Sequence, residues 1–349
     1  MTTQNGIFYP AASAAKPTAL QTLSMPELYD TVYHLPPPII KGFLGSGLQI
    51  LAGSPKIGKS FFVLRLAYQV AQGNAMFDYQ TNKCGVLYLA LEDKFHRLQK
   101  RLSRMFDVDV APGLQLAVAA NSIENGLEEQ LADFIAAYPD VRLVIIDTMQ
   151  KIRSKAEEQL SYARDYSIGT RLKAIADKHN ICLLVVHHTR KQNADDVFEK
   201  ISGTNGLFGS ADGAMILDKA ERTSSIATLT VSGRDNSDLQ LTLKFNRSRC
   251  IWELVKNNTY TANEPRNPLL EAVAKLVSKQ NPKWSGTATE LVQELSLLHY
   301  DIPNNVITRK LNPLATELEQ DYGIYYHCTR EHLHKKINFT LLDRTQEAA

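Results

Sequence analysis

The segment GSPKIGKS at residues 53–60 is the part of this 349-residue sequence whose residue types and spacing point to chemistry. It matches the pattern G-x-x-x-x-G-K-[ST], in which a glycine-rich turn aims successive backbone N–H groups at phosphate oxygens. Lys59 is expected to contact the β- and γ-phosphates of a nucleotide, and Ser60 to place its hydroxyl on Mg²⁺. An apolar run before the segment and a helical pattern after it disfavour the alternative, an ordinary glycine-containing turn. The predicted nucleotide-binding residues are Gly53, Ser54, Pro55, Lys56, Ile57, Gly58, Lys59, Ser60 and Phe61.

Two carboxylates that follow apolar runs are candidates for metal binding and for activating water. Asp147 ends the run RLVIID and is predicted to hold Mg²⁺, although an aspartate at this place can also cap the next turn. Because Thr148 follows it, the general base must come from elsewhere, and Glu92 in LYLALED is the candidate. Glu92 can also be read as an acid at a helix start, and Asp93 is interpreted as the N-cap of that helix.

Alternating apolar runs and amphipathic segments predict the elements that position these residues. Nearly continuous apolar runs separated by helical patterns are typical of an α/β fold with a parallel sheet covered on both faces. In such sheets, ligand chemistry gathers at the carboxyl ends of the strands. Four later alternating runs are expected to extend the sheet as antiparallel strands. The predicted parallel strands are 48–52, 85–91, 114–119, 143–147 and 181–187, the helices 60–72, 94–106 and 127–138, and the antiparallel strands 214–217, 226–231, 239–245 and 251–255.

Composition shifts predict four parts of the chain. Residues 1–34 are expected to form a flexible leader with a short helix, residues 35–256 the nucleotide-binding domain, residues 257–267 a linker, and residues 268–349 a small second domain. The second domain is predicted to contain three helices and a hairpin, the order of a winged helix. The first helix is expected at 269–279, the second begins after a Thr287–Glu290 capping box, and the third is expected at 304–319. The two strands are expected at 324–328 and 337–342.

Charge and cysteine spacing exclude several classes of protein. The net charge is +2, from 39 basic and 37 acidic residues, so charge alone neither supports nor excludes a nucleic-acid partner. No apolar run approaches the roughly 20 residues of a membrane span, and the first residues lack the pattern of a signal peptide. Cys84, Cys182, Cys250 and Cys328 have neither zinc-site nor disulfide-framework spacing. We therefore expect no membrane contact and a reducing, cytoplasmic location.

The ordered set of motifs resembles the RecA-like ATPases, and more narrowly the RepA-type hexameric helicases of plasmids with their relatives in phages and mobile elements. The motifs are GSPKIGKS, LYLALED, LVIIDT, LLVVHHTRK (183–191) and VSGRDNSDLQLTLKF (231–245), within residues 35–256. The resemblance implies a RecA-like P-loop NTPase core that uses ATP and Mg²⁺. It also implies a homo-oligomer, expected as a hexameric ring, with single-stranded DNA as a partner and a replication protein as a further candidate.

The same resemblance assigns roles to His188 and Arg234. His188, with His187 adjacent, occupies the position of a sensor that reads the γ-phosphate, although two polar residues can also simply end a strand. Arg234 resembles an arginine finger that reaches the nucleotide of a neighbouring subunit, and its alternative is a surface pair with Asp235. If Arg234 acts in this way, the active unit must be a ring or a filament.

Two regions are candidates for contact with nucleic acid. The segment 191–213 lies where RecA-like motors place a DNA-contacting loop, and Lys200 and Thr204 are its candidate phosphate contacts. Its acidic residues oppose such contact, so subunit packing is the alternative. The second domain carries cationic residues that suit either DNA or protein contacts, namely Arg309, Lys310, Lys335 and Lys336.

The predicted function is an ATP-dependent motor that translocates DNA, a replicative helicase of a phage, plasmid or mobile element. The alternative is a non-translocating ATPase switch or loader that acts on a protein partner. An ATP-dependent small-molecule kinase ranks third, since no segment suggests an acceptor pocket or a lid.

Overall fold

The computed structural model describes residues 20, 22–153, 162–188, 205–221, 223–234, 238–258, 267–331 and 334–342. The chain divides into two units, Pro38–Thr261 and the combination of Met1–Pro37 with Ala262–Ala349. Within the described residues, no helix has both the length and the apolar character that crossing a membrane requires.

The unit Pro38–Thr261 is built on a nine-stranded sheet, counted over the described residues. The sheet order is β3-β2-β4-β5-β1-β6-β7-β8-β9, in which the strands from β3 across to β6 run parallel and β7, β8 and β9 are antiparallel. The strands are β1 (Gly47–Gly53), β2 (Gly85–Ala90), β3 (Leu114–Ala117), β4 (Val141–Asp147), β5 (Cys182–His188), β6 (Gly213–Asp218), β7 (Ile226–Gly233), β8 (Leu239–Asn246) and β9 (Ile251–Asn257).

Helices cover both faces of this sheet, as the continuous apolar strands require. One face packs against α2 (Lys59–Gln72) and α3 (Phe95–Phe106), and the central strands are buried along most of their length. The other face packs against α4 (Leu127–Ala137), α5 (Met149–Ile152), α6 (Tyr162–His179) and α7 (Asn205–Ser210). The predicted α/β architecture and the helices after the first, second and third strands are confirmed.

One predicted strand direction is wrong. The run 214–217 was expected to be antiparallel, but β6 pairs in parallel with β1, with Gln49 opposite Gly213. The reason is the length of the connection between β5 and β6. It is long enough for the chain to cross back to the edge at which β1 and β5 begin, which a parallel neighbour requires. The end of that connection is helical rather than a loop, because α7 buries Leu207 in the core below the sheet.

The other unit contains a three-stranded antiparallel sheet of order β10-β12-β11. Its strands are β10 (Lys283–Thr287), β11 (Ile324–Glu331) and β12 (His334–Leu341), and its helices are α1 (Met25–Asp30), α8 (Pro268–Leu276), α9 (Ala288–Leu297), α10 (Ile307–Leu311) and α11 (Ala315–Tyr322). The capping box between Thr287 and Glu290 is confirmed. The single helix predicted at 304–319 is instead two helices joined by a 3₁₀ turn, because Pro313 lacks the N–H that a continuous helix needs.

Two features of this unit were not predicted. Strand β10 lies between α8 and α9 and completes the sheet beside β12. The segment that contains α1 packs within this unit, where the Asn312 side-chain amide donates to the Tyr29 carbonyl over 2.7 Å. Three predicted parts lie outside the described residues: the leader before residue 20, most of the linker, and residues 189–204. The last of these contains Lys200 and Thr204.

Candidate nucleotide-binding site

The loop 53–60 joins the carboxyl end of β1 to the first turn of α2. Gly53 lies so close to β6 that a Cβ there would be 2.5 Å from the Leu217 carbonyl oxygen. Gly58 has φ +111°, a left-handed conformation that residues with a side chain rarely adopt. Both glycines of the pattern are therefore required by the geometry, and the strand–loop–helix context predicted from the sequence is confirmed.

Lys59 is a buried cation held by neutral acceptors. Lys59 is only 4% exposed, and its Nζ donates to the carbonyl oxygens of Gly53 (2.6 Å) and Ser54 (3.0 Å). Nζ also lies 2.9 Å from Nδ1 of His188. Burial lowers the pKa of Lys59 to about 8, against the attraction of Asp147 and Glu92. A buried ammonium group without direct carboxylate contact suits an anionic ligand.

His188 is placed beside the loop by the pairing of strands. β5 neighbours β1, and His188 is in register with Gly53. Because an ammonium group only donates, Nδ1 of His188 must be the acceptor in its contact with Lys59, so the imidazole is neutral. Burial and Lys59 lower the pKa of His188, and burial lowers that of the adjacent His187 to about 3, so both rings are neutral at pH 7.

Asp147 lies at the carboxyl end of β4, two strands from β1, and is 5% exposed. Burial raises the pKa of this carboxyl group, while hydrogen bonds from Ser60 and Tyr88 lower it. The Tyr88 hydroxyl donates to Oδ2 over 2.8 Å. The contact between Ser60 and Asp147 brings one hydroxyl and one carboxylate together. This pair fits Mg²⁺, which is usually held by one or two protein oxygens together with phosphates and water.

Glu92 lies just beyond the carboxyl end of β2, at the same edge of the sheet as the loop 53–60 and Asp147. Its side chain is exposed, and Oε1 is 3.5 Å from the Thr148 hydroxyl. The fold thus brings Glu92 to the edge where Lys59 lies, and because the residue is exposed, water has access to it.

The interpretation of Asp93 as an N-cap is wrong. The N-cap of α3 is Lys94, which makes no side-chain capping bond. The carboxylate of Asp93 is instead bound by Arg97, with Nε and Oδ1 3.2 Å apart, and by Arg101. Asp93 also accepts from the Lys94 backbone N–H over 3.1 Å, but its two guanidinium partners on α3 give the stronger, charge-assisted bonds.

Phe61 packs against other side chains at the start of α2. Its ring packs on that of Phe245 at 5.5 Å between centroids, and the Arg101 guanidinium lies 5.2 Å from its centroid. Phe61 therefore links the first turn of α2 to β8.

Arg234 lies at the opposite edge of the sheet. It follows β7, whose last residue Gly233 pairs with Gly213 at the start of β6, and β6 runs parallel to β1. β6 has six residues and therefore spans about 20 Å. The loop 53–60 and Arg234 thus lie at opposite ends of the parallel strands. Arg234 is 57% exposed, and Asp212 is an acidic partner, with Nη1 and Oδ1 3.6 Å apart. The fold therefore does not bring Arg234 to the other candidate residues of the same chain. Asp235, its alternative partner, lies outside the described residues.

Two residues that were not predicted from the sequence shape the site. Tyr88 binds Asp147, and the indole N–H of Trp252 donates to the Gly58 carbonyl over 3.1 Å. The Tyr88 contact was open to inference, since β2 and β4 are both predicted parallel strands. The Trp252 contact joins residues 194 positions apart and carries no local signal.

A mainly parallel sheet flanked by helices, with a glycine-rich loop around a buried lysine, is the architecture of P-loop NTPases. Residues 14–194 match the AAA_25 family model, described as an AAA domain, and the chain belongs to this family.

Three known proteins show the extent of the similarity. "DNA repair protein RadA" of Streptococcus pyogenes serotype M6 is 27% identical over 153 residues, 43% of this chain and 30% of RadA. RadA of Streptococcus pneumoniae is 26% identical over 153 residues, 43% of this chain and 32% of that protein. A solved structure described as an ATPase domain has a TM-score of 0.50 at 15% identity, covering 60% of this chain and 85% of that one. This chain thus spans about a third of the length of the RadA proteins, and the likeness to the solved ATPase domain establishes the fold.

Proposed function

We propose that this protein is an ATP-driven motor on single-stranded DNA, a replicative helicase that hydrolyses ATP at interfaces between its own copies. The observation that carries the proposal is the placement of Arg234 at the sheet edge opposite the loop 53–60. A cationic finger in that place has no nucleotide to act on within its own chain, so its target has to lie in a neighbouring copy.

We call the edge of the sheet at which the parallel strands end the carboxyl edge, and the edge at which they begin the amino edge. Within one copy, the proposed roles follow from the contacts at the carboxyl edge. Lys59 exchanges its carbonyl contacts for the β- and γ-phosphates of ATP, and Ser60 and Asp147 hold Mg²⁺. Glu92 orients or deprotonates the attacking water. His188, which loses its contact with Lys59 when a phosphate takes that place, senses the nucleotide and passes the change to the segment that follows β5.

The proposed assembly is a hexameric ring in which every copy offers both edges. A head-to-tail interface joins the carboxyl edge of one copy to the amino edge of the next, and such interfaces close into rings when the rotation between copies allows. Arg234 then stabilises charge that develops on the transferred phosphoryl group.

A DNA role is supported by the second unit and by the relatives. The order α8–β10–α9–α10–α11–β11–β12 supports the proposed winged helix, in which α10 and α11 together take the place of the third predicted helix. Arg309 and Lys310 on α10 are the proposed phosphate contacts, since Lys335 is already paired with Asp30 over 2.6 Å. RadA is named a DNA repair protein. A phage, plasmid or mobile element is the proposed source.

The test combines light scattering after size-exclusion chromatography with ATPase assays. The full chain is measured with and without a non-hydrolysable ATP analogue and an oligonucleotide. A motor is expected to form a ring with nucleotide and to hydrolyse ATP faster when single-stranded DNA is added. A monomer under all conditions, or hydrolysis that ignores DNA, would contradict the proposal and favour a switch or loader.

A further inference from the structure

Trp252 is the largest fully buried side chain in the described part of the chain, and it belongs to the hydrophobic core while also lying against the loop 53–60. It is the second residue of β9, which enters the sheet at the carboxyl edge because β8 and β9 are antiparallel. The last strand along the chain in this unit therefore contributes to a loop formed almost 200 residues earlier.

The indole contacts Gly58, the residue of that loop with a left-handed backbone conformation at the start of α2. Its Nε1 donates to the Gly58 carbonyl over 3.1 Å, and a Cβ on Gly58 would lie 3.1 Å from the same nitrogen. Gly58 is the N-cap of α2, and its carbonyl also accepts from the Phe62 N–H over 3.1 Å. The left-handed turn at Gly58 and the start of α2 are thus fixed together by one side chain.

Three other groups fix the position of Trp252 itself. The Arg65 guanidinium, from α2, donates to the Trp252 carbonyl. Phe245 packs edge-on at 5.1 Å between ring centroids, and the Lys219 ammonium lies 5.3 Å from the indole centroid. Arg65 and Gly58 both belong to the loop and helix that bind phosphate, so Trp252 joins α2 to β9 at two points.

We propose that Trp252 is a positioning residue that holds the loop 53–60 in its phosphate-accepting conformation, and that its indole responds when nucleotide binds. The inference rests on the loop being the nucleotide site, but not on movement along DNA. Trp252 acts through Gly58 and touches no reacting atom.

The chain provides a matched control for this proposal. Its two tryptophans lie one in each unit, and Trp284 makes a similar bond, from Nε1 to Glu294 Oε2 over 2.9 Å, away from the loop. Trp252→Phe and Trp284→Phe each remove one indole hydrogen bond. A difference in nucleotide affinity between the two variants therefore reports on the contact of Trp252 with the loop.

The first measurement is the equilibrium Kd for ATP analogue and the steady-state KM and kcat, using the full chain. Trp252→Phe is expected to raise Kd and KM about tenfold, the change that 1.4 kcal/mol produces, with kcat nearly unchanged. Trp284→Phe is expected to bind ATP as the original chain does. Equal affinities in Trp252→Phe and the original chain would overturn the proposal, whatever the thermal stability of the variant.

The second measurement requires no change at Trp252. In Trp284→Phe, Trp252 is the single tryptophan left, and its fluorescence is expected to shift or quench in a saturable manner as nucleotide is added. A chain that binds nucleotide with no fluorescence change would overturn the inference alone. A chain that binds no nucleotide would overturn the site as well, which separates the two failures.

Discussion

The two edges of the nine-stranded sheet carry different sets of candidate residues. At the carboxyl edge, the loop 53–60, Asp147, Glu92 and His188 gather because parallel strands end there together. At the amino edge, Arg234 lies alone among the candidate residues, with its backbone N–H bound to the Asp212 carbonyl over 2.9 Å. We propose that the carboxyl edge holds a nucleotide and that Arg234 supplies a positive charge to the nucleotide of a neighbouring copy.

From this difference we infer that a second copy of the chain completes the proposed site. Every candidate at the carboxyl edge contacts or neighbours another candidate, so their placement is settled by the fold of one chain. Under the proposal, Arg234 acts on a nucleotide only beside a second copy of the chain. Substitutions at the two edges are therefore expected to separate nucleotide binding from turnover.

The largest effect is expected from Lys59→Ala, which removes the buried cation of the carboxyl edge. Nucleotide binding and hydrolysis should both fall to background, because the loop then lacks the charge that meets the β- and γ-phosphates. Lys100→Ala, at an exposed position on α3, is the control. Hydrolysis at the original rate in Lys59→Ala would show that the loop is not the site.

Arg234→Ala tests the amino edge. We expect nearly normal ATP binding but a loss of about 10³- to 10⁵-fold in kcat, the range for an arginine finger. Binding is measured by equilibrium titration and kcat at saturating ATP. If kcat stays at the original value, Arg234 is only the surface partner of Asp212.

Glu92→Gln tests the base within the carboxyl edge. The amide keeps the size of the side chain but cannot accept a proton, so kcat should fall by about 10²- to 10⁴-fold while nucleotide still binds. Single-turnover hydrolysis separates this chemical step from product release. Rapid single-turnover hydrolysis by Glu92→Gln would assign Glu92 to the helix start alone.

A smaller effect is expected from pH, since burial lowers the pKa of Lys59 to about 8. Only the protonated ammonium attracts phosphate, so affinity should be constant below pH 8. It should then weaken by up to tenfold per pH unit above that value, and binding should take up protons there. Titration calorimetry between about pH 7 and about pH 9.5 measures both the affinity and the proton uptake. Affinity that stays flat across this range would contradict a lowered pKa.

Local patterns were enough to predict much of the carboxyl edge. The loop 53–60, its flanking strand and helix, and the strand ends at Asp147 and His188 all follow from short apolar runs and their bounding residues. These features depend on neighbours in sequence or on the rule that parallel strands end together, and both are readable without a structure.

Long-range pairing explains what was missed. The residues of β6 suit either strand direction, and the direction was set by the preceding connection rather than by the strand. The partner of Asp93 was open to inference, because Arg97 and Arg101 stand four and eight positions later on one helix face. The contact of Trp252 with Gly58 depends on how three antiparallel strands extend the sheet, which no local pattern specifies.

Mixing Arg234→Ala chains with Glu92→Gln chains tests most directly the claim that two copies build one site. Each variant alone has a defect at every interface. In mixed rings, an Arg234→Ala copy supplies an intact carboxyl edge, and a neighbouring Glu92→Gln copy supplies an intact Arg234. We expect ATP hydrolysis to rise well above that of either variant, with mixed oligomers confirmed by mass. No recovery at any mixing ratio, despite mixed oligomers, would contradict it.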